Sequence, residues 1–419
     1  MLRVLAVFAA TRLLLILATL SPWPTECLSY EFPSPTEPGV FLNERPPWKP
    51  APDAPTPGVN GRLWQVVPDS PWLEPFARWD ANFYFHIVAF GYRPAEGEGP
   101  VPVRAGFLPG YPYALDVTTR AVNLCTGGGF ALPATFDRFW TGLLAAFLLG
   151  NGCLLLAVFI LRRFVSALTE DPATGDRAAF ALCLAPTSFF FSAALSEGLF
   201  LALSLASLWW AFRRRIFIAA LFAAAAAFTR PVGLFLAFPL LAAVCDRRTG
   251  FGQIVRDGLK LCLIPAAFVG ALAVSYAATG RWNAYFLAQA QFGHEDFPTL
   301  DGLRSLFAAS GKTPLAIGRD VLQVAVLTAV VAAIVSLVRA VRARRFYLVL
   351  VVWLAIGVVF PLLSDDVISL PRYAAALFPV YVAAAISLRG RVAVVAAALA
   401  LPLQIAGFLA FSRSWPILI

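Results

Sequence analysis

Charge is scarce in this chain of 419 residues: Asp, Glu, Lys and Arg together make up 14%, against 59% hydrophobic residues and a mean hydropathy of +0.74. A soluble protein of this length carries far more charge, so a soluble fold is excluded and lipid is the expected solvent. Histidine occurs only as His86 and His294, and lysine only as Lys49, Lys260 and Lys312. The six cysteines show no Cys-x-x-Cys or Cys/His ligand spacing, which removes the usual zinc frameworks. No glycine-rich phosphate loop follows a strand pattern, and the triplet Gly127 to Gly129 reads as a turn, so a nucleotide fold is not expected. The net charge of +9 is scattered in short clusters and not drawn into one stripe, which argues against a nucleic-acid partner.

What is present is long apolar sequence. A helix needs about 20 mostly apolar residues to cross a bilayer. Runs that can serve lie near residues 2 to 20, 139 to 161, 178 to 193, 195 to 212, 216 to 229, 231 to 245, 258 to 278, 316 to 338, 346 to 363, 371 to 388 and 392 to 411. They are Leu/Ala-rich and apolar all round, without the alternation of a membrane β-barrel. The expected fold class is therefore all-α: a polytopic membrane protein, one domain over 1–419, with about eleven transmembrane helices. Several runs are short for a full crossing, which suggests paired helices whose ends are buried in protein.

Arg3, Arg162, Arg163, Arg177, Arg213 to Arg215, Arg247, Arg248, Arg256, Lys260, Arg339, Arg342, Arg344, Arg345, Arg389 and Arg391 all fall on one side of that alternation. Cytoplasmic loops carry the Arg/Lys excess, so the N-terminus is expected inside and the C-terminus outside. Arg12 interrupts the first run and no A-x-A site follows it, which favours an uncleaved first span over a signal peptide. The near-absence of lysine suggests a bacterial plasma membrane, with the endoplasmic reticulum membrane as the alternative.

The first external loop, 21–138, divides in two. Residues 21–75 are a Pro-rich insertion with little periodicity. Residues 76–138 carry two aromatic-rich stretches, RWDANFYFHIVAFGY and FLPGYPYALDVTTRAV, expected as interfacial helices. Cys27 and Cys125 both lie in this loop, where a disulfide is chemically permitted. Cys153, Cys183, Cys245 and Cys262 lie in or beside spans and read as packing residues.

Helical spacing from Trp79-Asp80 places Asp80, Phe83, Tyr84, Ile87 and Gly91 on one face, so an acid heads an aromatic ridge. Asp80 could equally be the N-cap of that helix. This run resembles the PIG-V family, the GPI mannosyltransferase II type of GT-C glycosyltransferase. So do Phe107-Leu108-Pro109-Gly110-Tyr111-Pro112, Ser196-Glu197-Gly198-Leu199-Phe200, Thr229-Arg230-Pro231-Val232-Gly233 and Leu370-Pro371-Arg372-Tyr373, which follow in family order. The resemblance implies a GT-C-like bundle that transfers a mannose or related hexose, with inversion, from a polyprenyl- or dolichyl-phosphate carrier. The acceptor would be a glycolipid or a protein at the non-cytoplasmic face, with no nucleotide sugar. It also implies that Trp79 and Asp80 are the essential pair. The chain departs from the family pattern at Val88, at Leu108 and Gly110, and in the insertion before Trp79, which leaves the acceptor open.

The residues support that chemistry independently. Inverting transfer from a sugar phosphate needs one base for the acceptor proton, and its leaving group is already a stable anion, so a second catalytic acid is unnecessary. Cations are needed for the phosphate. Asp80 is the expected base, with Arg230 and Arg372 as phosphate clamps, each beside a helix-breaking Pro. Either arginine could instead snorkel to headgroups. Trp79, Tyr84 and Tyr111 are expected to shape the sugar pocket. Glu197 reads either as a helix cap or as a ligand to a sugar hydroxyl. Arg12 needs a partner within its span, with a structural ion pair as plausible as a catalytic role. Asp365 and Asp366 could pair on a divalent cation but read as a solvated turn; neither a metal nor a cofactor is expected. His86 and His294 read as structural, and Trp282, Tyr285 and Phe286 as an interface belt before a carrier-lipid groove. A transporter or flippase for lipid-linked substrates is the rival reading. It sits poorly with the lack of repeated halves and with acids gathered in an external loop. An inactive structural subunit would be expected to lack the Trp-Asp pair.

Overall fold

The structure, a computed structural model, describes residues 1–20, 72–94, 99–127, 139–246, 250–291, 298–307, 314–363, 367 and 369–412. Most of the 21–75 insertion, Cys27, His294, Asp365 and Asp366 lie outside the described residues.

The described chain is helical, as expected, and each apolar run coincides with one helix or a broken pair. The helices are α1 (Leu2–Thr19), α2 (Ala81–Phe90), α3 (Gly110–Cys125), α4 (Phe139–Thr169), α5 (Pro172–Leu184), α6 (Glu197–Phe212), α7 (Ile216–Thr229) and α8 (Ala237–Cys245). Then come α9 (Phe251–Lys260), α10 (Leu263–Thr279), α11 (Ala284–Ala290), α12 (Asp301–Phe307), α13 (Pro314–Ala340), α14 (Phe346–Leu362), α15 (Leu370–Ala375), α16 (Pro379–Ser387) and α17 (Gly390–Ser412).

Among the described residues, five helical stretches are long and apolar enough to cross a membrane: Leu2–Thr19, Trp140–Thr169, Phe251–Thr279, Ile317–Ala340 and Gly390–Ser412. Four more, Glu197–Phe212, Ile216–Thr229, Pro231–Cys245 and Phe346–Leu362, are apolar but shorter. The apolar runs expected as spans thus coincide with helices, several of them short, as their lengths in sequence suggested. At about 1.5 Å per residue, the short helices fall below a hydrocarbon thickness of roughly 30 Å. Their broken ends must find polar partners inside the protein.

The core is built from α4 to α7. Helix α4 packs on α3, α5 and α6, while α7 lies between α6 and α10; α14 links α8, α13 and α15. After α7, the chain turns at Pro231 into a 3-10 helix, Pro231–Leu236, folded back on α7. That return demands Gly233, where a Cβ would lie 2.4 Å from the carbonyl carbon of Ala226.

Helix α5 starts at a well-formed cap, with Asp171 accepting from the Ala173 and Thr174 amides at 2.9 and 3.1 Å and Pro172 in the first turn. It stops before Pro186, and the chain then runs through the 3-10 helix Ser188–Phe191 to the start of α6. Carbonyls freed by that break cannot be left bare in a membrane core. Arg12 reaches from α1 to Ser188 O (3.1 Å), Cys183 O (3.4 Å), Ser192 Oγ (2.8 Å) and Ser188 Oγ (3.2 Å). Gln404, from α17, donates to Cys183 O and Ala185 O at 3.1 and 3.0 Å. Arg12 therefore holds neutral oxygens and not a carboxylate, which replaces the expected ion pair with a staple across three helices. A guanidinium carries five donors, enough to serve a frayed helix end that no single acid could.

Helix α2 also departs from expectation. Phe83, Tyr84, Phe85, His86 and Ile87 are all buried, so it is inserted into the protein on every side of its middle turns. His86 sits against Phe90 with ring centroids 4.9 Å apart, a packing position. Helix α3 does show an outward apolar stripe, Tyr113, Val117 and Leu124, flanked by an Arg120–Asp116 pair at 3.0 Å. The belt residues divide: Trp282 stacks on Tyr276 at 4.4 Å and is exposed with Phe286, whereas Tyr285 is buried against Leu108 and Ala271. Cys183 is buried and Cys153 half-buried, while Cys125, Cys245 and Cys262 are exposed, so Cys245 and Cys262 do not pack inside.

Candidate functional site

Four broken helix ends converge on one cluster of charges: the start of α2 with Asp80, the start of α6 with Ser196 and Glu197, the end of α7 with Arg230, and α15 with Arg372. The local sequence explains each break. Trp79 adopts φ +59°, a left-handed conformation that costs a bulky residue roughly 1–3 kcal/mol. It turns the chain just before Asp80, which stands at the N-cap position of α2. Arg230 ends α7 in an extended conformation ahead of Pro231, and Pro371 opens α15 one residue before Arg372.

Arg372 Nη2 lies 2.5 Å from Asp80 Oδ2, and Arg372 Nε donates to Glu197 Oε1. Arg230 Nη1 donates to the same Glu197 Oε1 and, at 2.9 Å, to Ser196 Oγ. Tyr84 OH donates to Ser196 Oγ at 3.1 Å. The Arg230 guanidinium stands 5.0 Å from the Tyr373 ring centroid and 6.0 Å from that of Phe200.

Around this centre, Tyr84 meets Tyr111 edge-on at 4.6 Å and Phe107 at 5.3 Å, and Phe83 stacks on Phe107 at 4.8 Å. Burial pushes the Tyr84 and Tyr111 hydroxyls far above the ordinary phenol range, with the Asp80 carboxylate adding to it at Tyr84. Both therefore stay protonated.

The geometry bears on the alternatives left open by sequence. Asp80 makes no side-chain cap bond to α2 and spends its carboxylate on Arg372. Neither arginine snorkels; their side chains are only 9% and 7% exposed and both turn inward to acids. Glu197 stands in the first turn of α6, just after Ser196 at the N-cap position, and is wholly buried with its Oε1 shared by the two guanidiniums. In a low-dielectric interior a carboxylate gains more from paired cations than from neutral amides. Asp80 is the outermost of the acids, with 27% of its side chain exposed, while Glu197 and Tyr111 present almost no surface. Among the described residues, the indole nitrogen of Trp79, the Tyr111 hydroxyl and Glu197 Oε2 are buried without a hydrogen-bond partner.

Gly110 explains one departure from the family pattern. A Cβ there would lie 2.5 Å from Thr229 Oγ1, 2.7 Å from Thr229 Cα and 2.8 Å from Phe228 O. The start of α3 is thus pressed against the end of α7, one residue from Arg230. Ser196 and Tyr373 received no role from sequence, although both stand beside assigned residues in the motifs. Their adjacency to Glu197 and Arg372 was the available signal. Among the described residues no three His, Cys, Asp or Glu side chains cluster as a metal site.

The family described as "Mannosyltransferase (PIG-V)" matches residues 65–248. That stretch contains Trp79-Asp80, Phe107 to Pro112, Ser196 to Phe200 and Thr229 to Gly233, and over it the resemblance read from the motifs is borne out; Arg372 lies beyond it. No curated protein matches the chain. Among solved structures, the chain is similar to ArnT from Cupriavidus metallidurans bound to undecaprenyl phosphate. That likeness has 15% identity and a TM-score of 0.47, covering 80% of this chain and 71% of that one. It is also similar to the Archaeoglobus fulgidus oligosaccharyltransferase tethered to an acceptor peptide. There the identity is 14% and the TM-score 0.43, covering 97% of this chain and 55% of that one.

Proposed function

We propose that the chain is a membrane glycosyltransferase with a GT-C-like bundle, which moves a mannose or related hexose from a polyprenyl-phosphate carrier to a glycolipid or protein acceptor. The observation that carries this reading is the pairing of Asp80 with Arg372 in a cluster that also contains Arg230, within the family-matched region for three of its four charges. A partly exposed carboxylate beside two buried arginines supplies one base and one anion site, which is the minimum the reaction requires.

In this mechanism the acceptor hydroxyl attacks the anomeric carbon from the face opposite the phosphate, and configuration inverts. The new C–O bond forms as the bond to the phosphate oxygen breaks. The electron pair leaves with the phosphate, which is stabilised by Arg230 and Arg372. The acceptor proton passes to Asp80. Trp79 and Tyr84 border the sugar, Tyr111 supports Tyr84 from behind, and the donor-rich lining suits a ligand covered in hydroxyl and phosphate oxygens. The arginine distribution supports placing the site at the non-cytoplasmic face with the N-terminus inside, and the scarcity of lysine supports a bacterial plasma membrane over an endoplasmic reticulum membrane.

Sugar transfer from radiolabelled polyprenyl-phosphate mannose tests this, using purified wild type and Asp80→Asn in detergent with host lipid extract as acceptor. Transfer by wild type should fall by about 10²-fold or more in the variant at unchanged thermal stability. Equal turnover in a folded variant removes Asp80 as base. Carrier binding without transfer by wild type favours a transporter.

A further inference from the structure

Glu197 is held in an unusual way. One oxygen, Oε1, receives both Arg230 Nη1 and Arg372 Nε, while the other, Oε2, is buried with no hydrogen-bond partner among the described residues. A carboxylate kept for structure normally satisfies both oxygens, because a bare buried acceptor is costly. Among the described residues, the side chains that hold Glu197 are the two arginines assigned to phosphate. One oxygen bridging two guanidiniums is also the position that a non-bridging phosphate oxygen would take.

We propose that Glu197 is an internal counter-anion, a stand-in for phosphate that occupies the arginine pair between turnovers. The inference rests on the glycosyl-transfer reading of the site. Three features converge on it. Without Glu197, two buried guanidiniums would have the single carboxylate of Asp80 between them and carry a severe desolvation penalty, so the empty site needs a second negative charge of its own. Each arginine also retains a second partner when it leaves Glu197: Arg372 keeps Asp80, and Arg230 keeps Ser196 and the Tyr373 ring face. Finally, the four charges cancel, with Asp80 and Glu197 against Arg230 and Arg372.

Phosphate therefore enters by exchange against Glu197 and finds a neutral cluster, not a doubly positive one. A monoester product, with a charge of about −1.5 to −2 near neutral pH, carries roughly half to one more negative charge than the sugar phosphodiester and is repelled more by the retained Glu197. Glu197 thus weakens product binding more than donor binding and favours release. It is a positioning residue for the arginines and touches neither sugar nor acceptor.

The test is equilibrium binding of a tritiated polyprenyl monophosphate to detergent-purified wild type, Glu197→Gln, Arg230→Gln and the double variant, with product inhibition of transfer measured alongside. Glu197→Gln should bind the monophosphate about tenfold tighter and show correspondingly stronger product inhibition, a coupling of ordinary size. Arg230→Gln should bind it more weakly, and adding Glu197→Gln should restore binding to within about threefold of wild type. A merely structural glutamate predicts the opposite, weaker binding in every variant that lacks it, and that result overturns the proposal. If Glu197→Gln alone does not fold, the charge-balanced double variant decides, with unrestored binding counting against the idea. Wild type that neither binds the monophosphate nor transfers sugar would instead overturn the glycosyltransferase reading.

Discussion

Arg372 and Asp80 are paired at 2.5 Å, and the pairing leaves α2 without the side-chain cap that Asp80 would otherwise supply. The carboxylate is held by a fork that at the same time reaches Glu197, so the position of the base and that of the anion site are mechanically one.

Arg372→Lys should therefore behave as a severe substitution although it keeps the charge. A single ammonium cannot reach Asp80 and Glu197 along the two directions that Nε and Nη2 provide. The expected outcome is a fall in kcat/KM of about 10- to 100-fold, corresponding to the loss of a charge-assisted bond of roughly 1.5–3 kcal/mol. Steady-state kinetics with varied carrier concentration would reveal it. A variant with wild-type kcat/KM would show that the fork is dispensable.

Gly110→Ala should damage the site from outside it. The new methyl would press on backbone atoms of Phe228 and Thr229, which cannot swing aside, and α7 would be displaced beside Arg230. Overpacking of this kind costs about 1–3 kcal/mol. Lower thermal stability together with a raised KM for the carrier is expected; unchanged values in both would contradict the close approach of α3 to α7.

Arg12→Met should destabilise the fold by roughly 2–5 kcal/mol, because Ser188 O and two hydroxyls lose a buried charged donor. Arg12 and Gln404 share Cys183 O, so Arg12→Met combined with Gln404→Leu should cost more than the two single losses added together. Detergent unfolding curves of the four proteins measure this directly. Strict additivity would mean that the two side chains act on separate parts of the α5 break.

The chain's helical character and the places where helices break are properties of local sequence. Apolar runs commit the backbone to helix in lipid, and Pro186, Pro231 and Pro371 mark helix stops or starts, although Pro361 and Pro402 are carried inside α14 and α17. Arg230 and Arg372 could be singled out for the same reason, as charges beside breaks that have no place on a lipid-facing helix, whereas Trp79-Asp80 stood out as the head of an aromatic ridge and through the family resemblance. What they pair with could not be read locally. Whether Asp80 capped α2 or met an arginine, whether Glu197 capped α6 or bridged two guanidiniums, and whether Arg12 found an acid or a frayed helix end all depended on which broken ends converge. That convergence is set by close approaches such as Gly110 on Thr229 and Gly233 on Ala226. Only the tertiary structure decides it, because the attraction between buried charges depends on distances between segments remote in sequence and on the low dielectric that their packing creates.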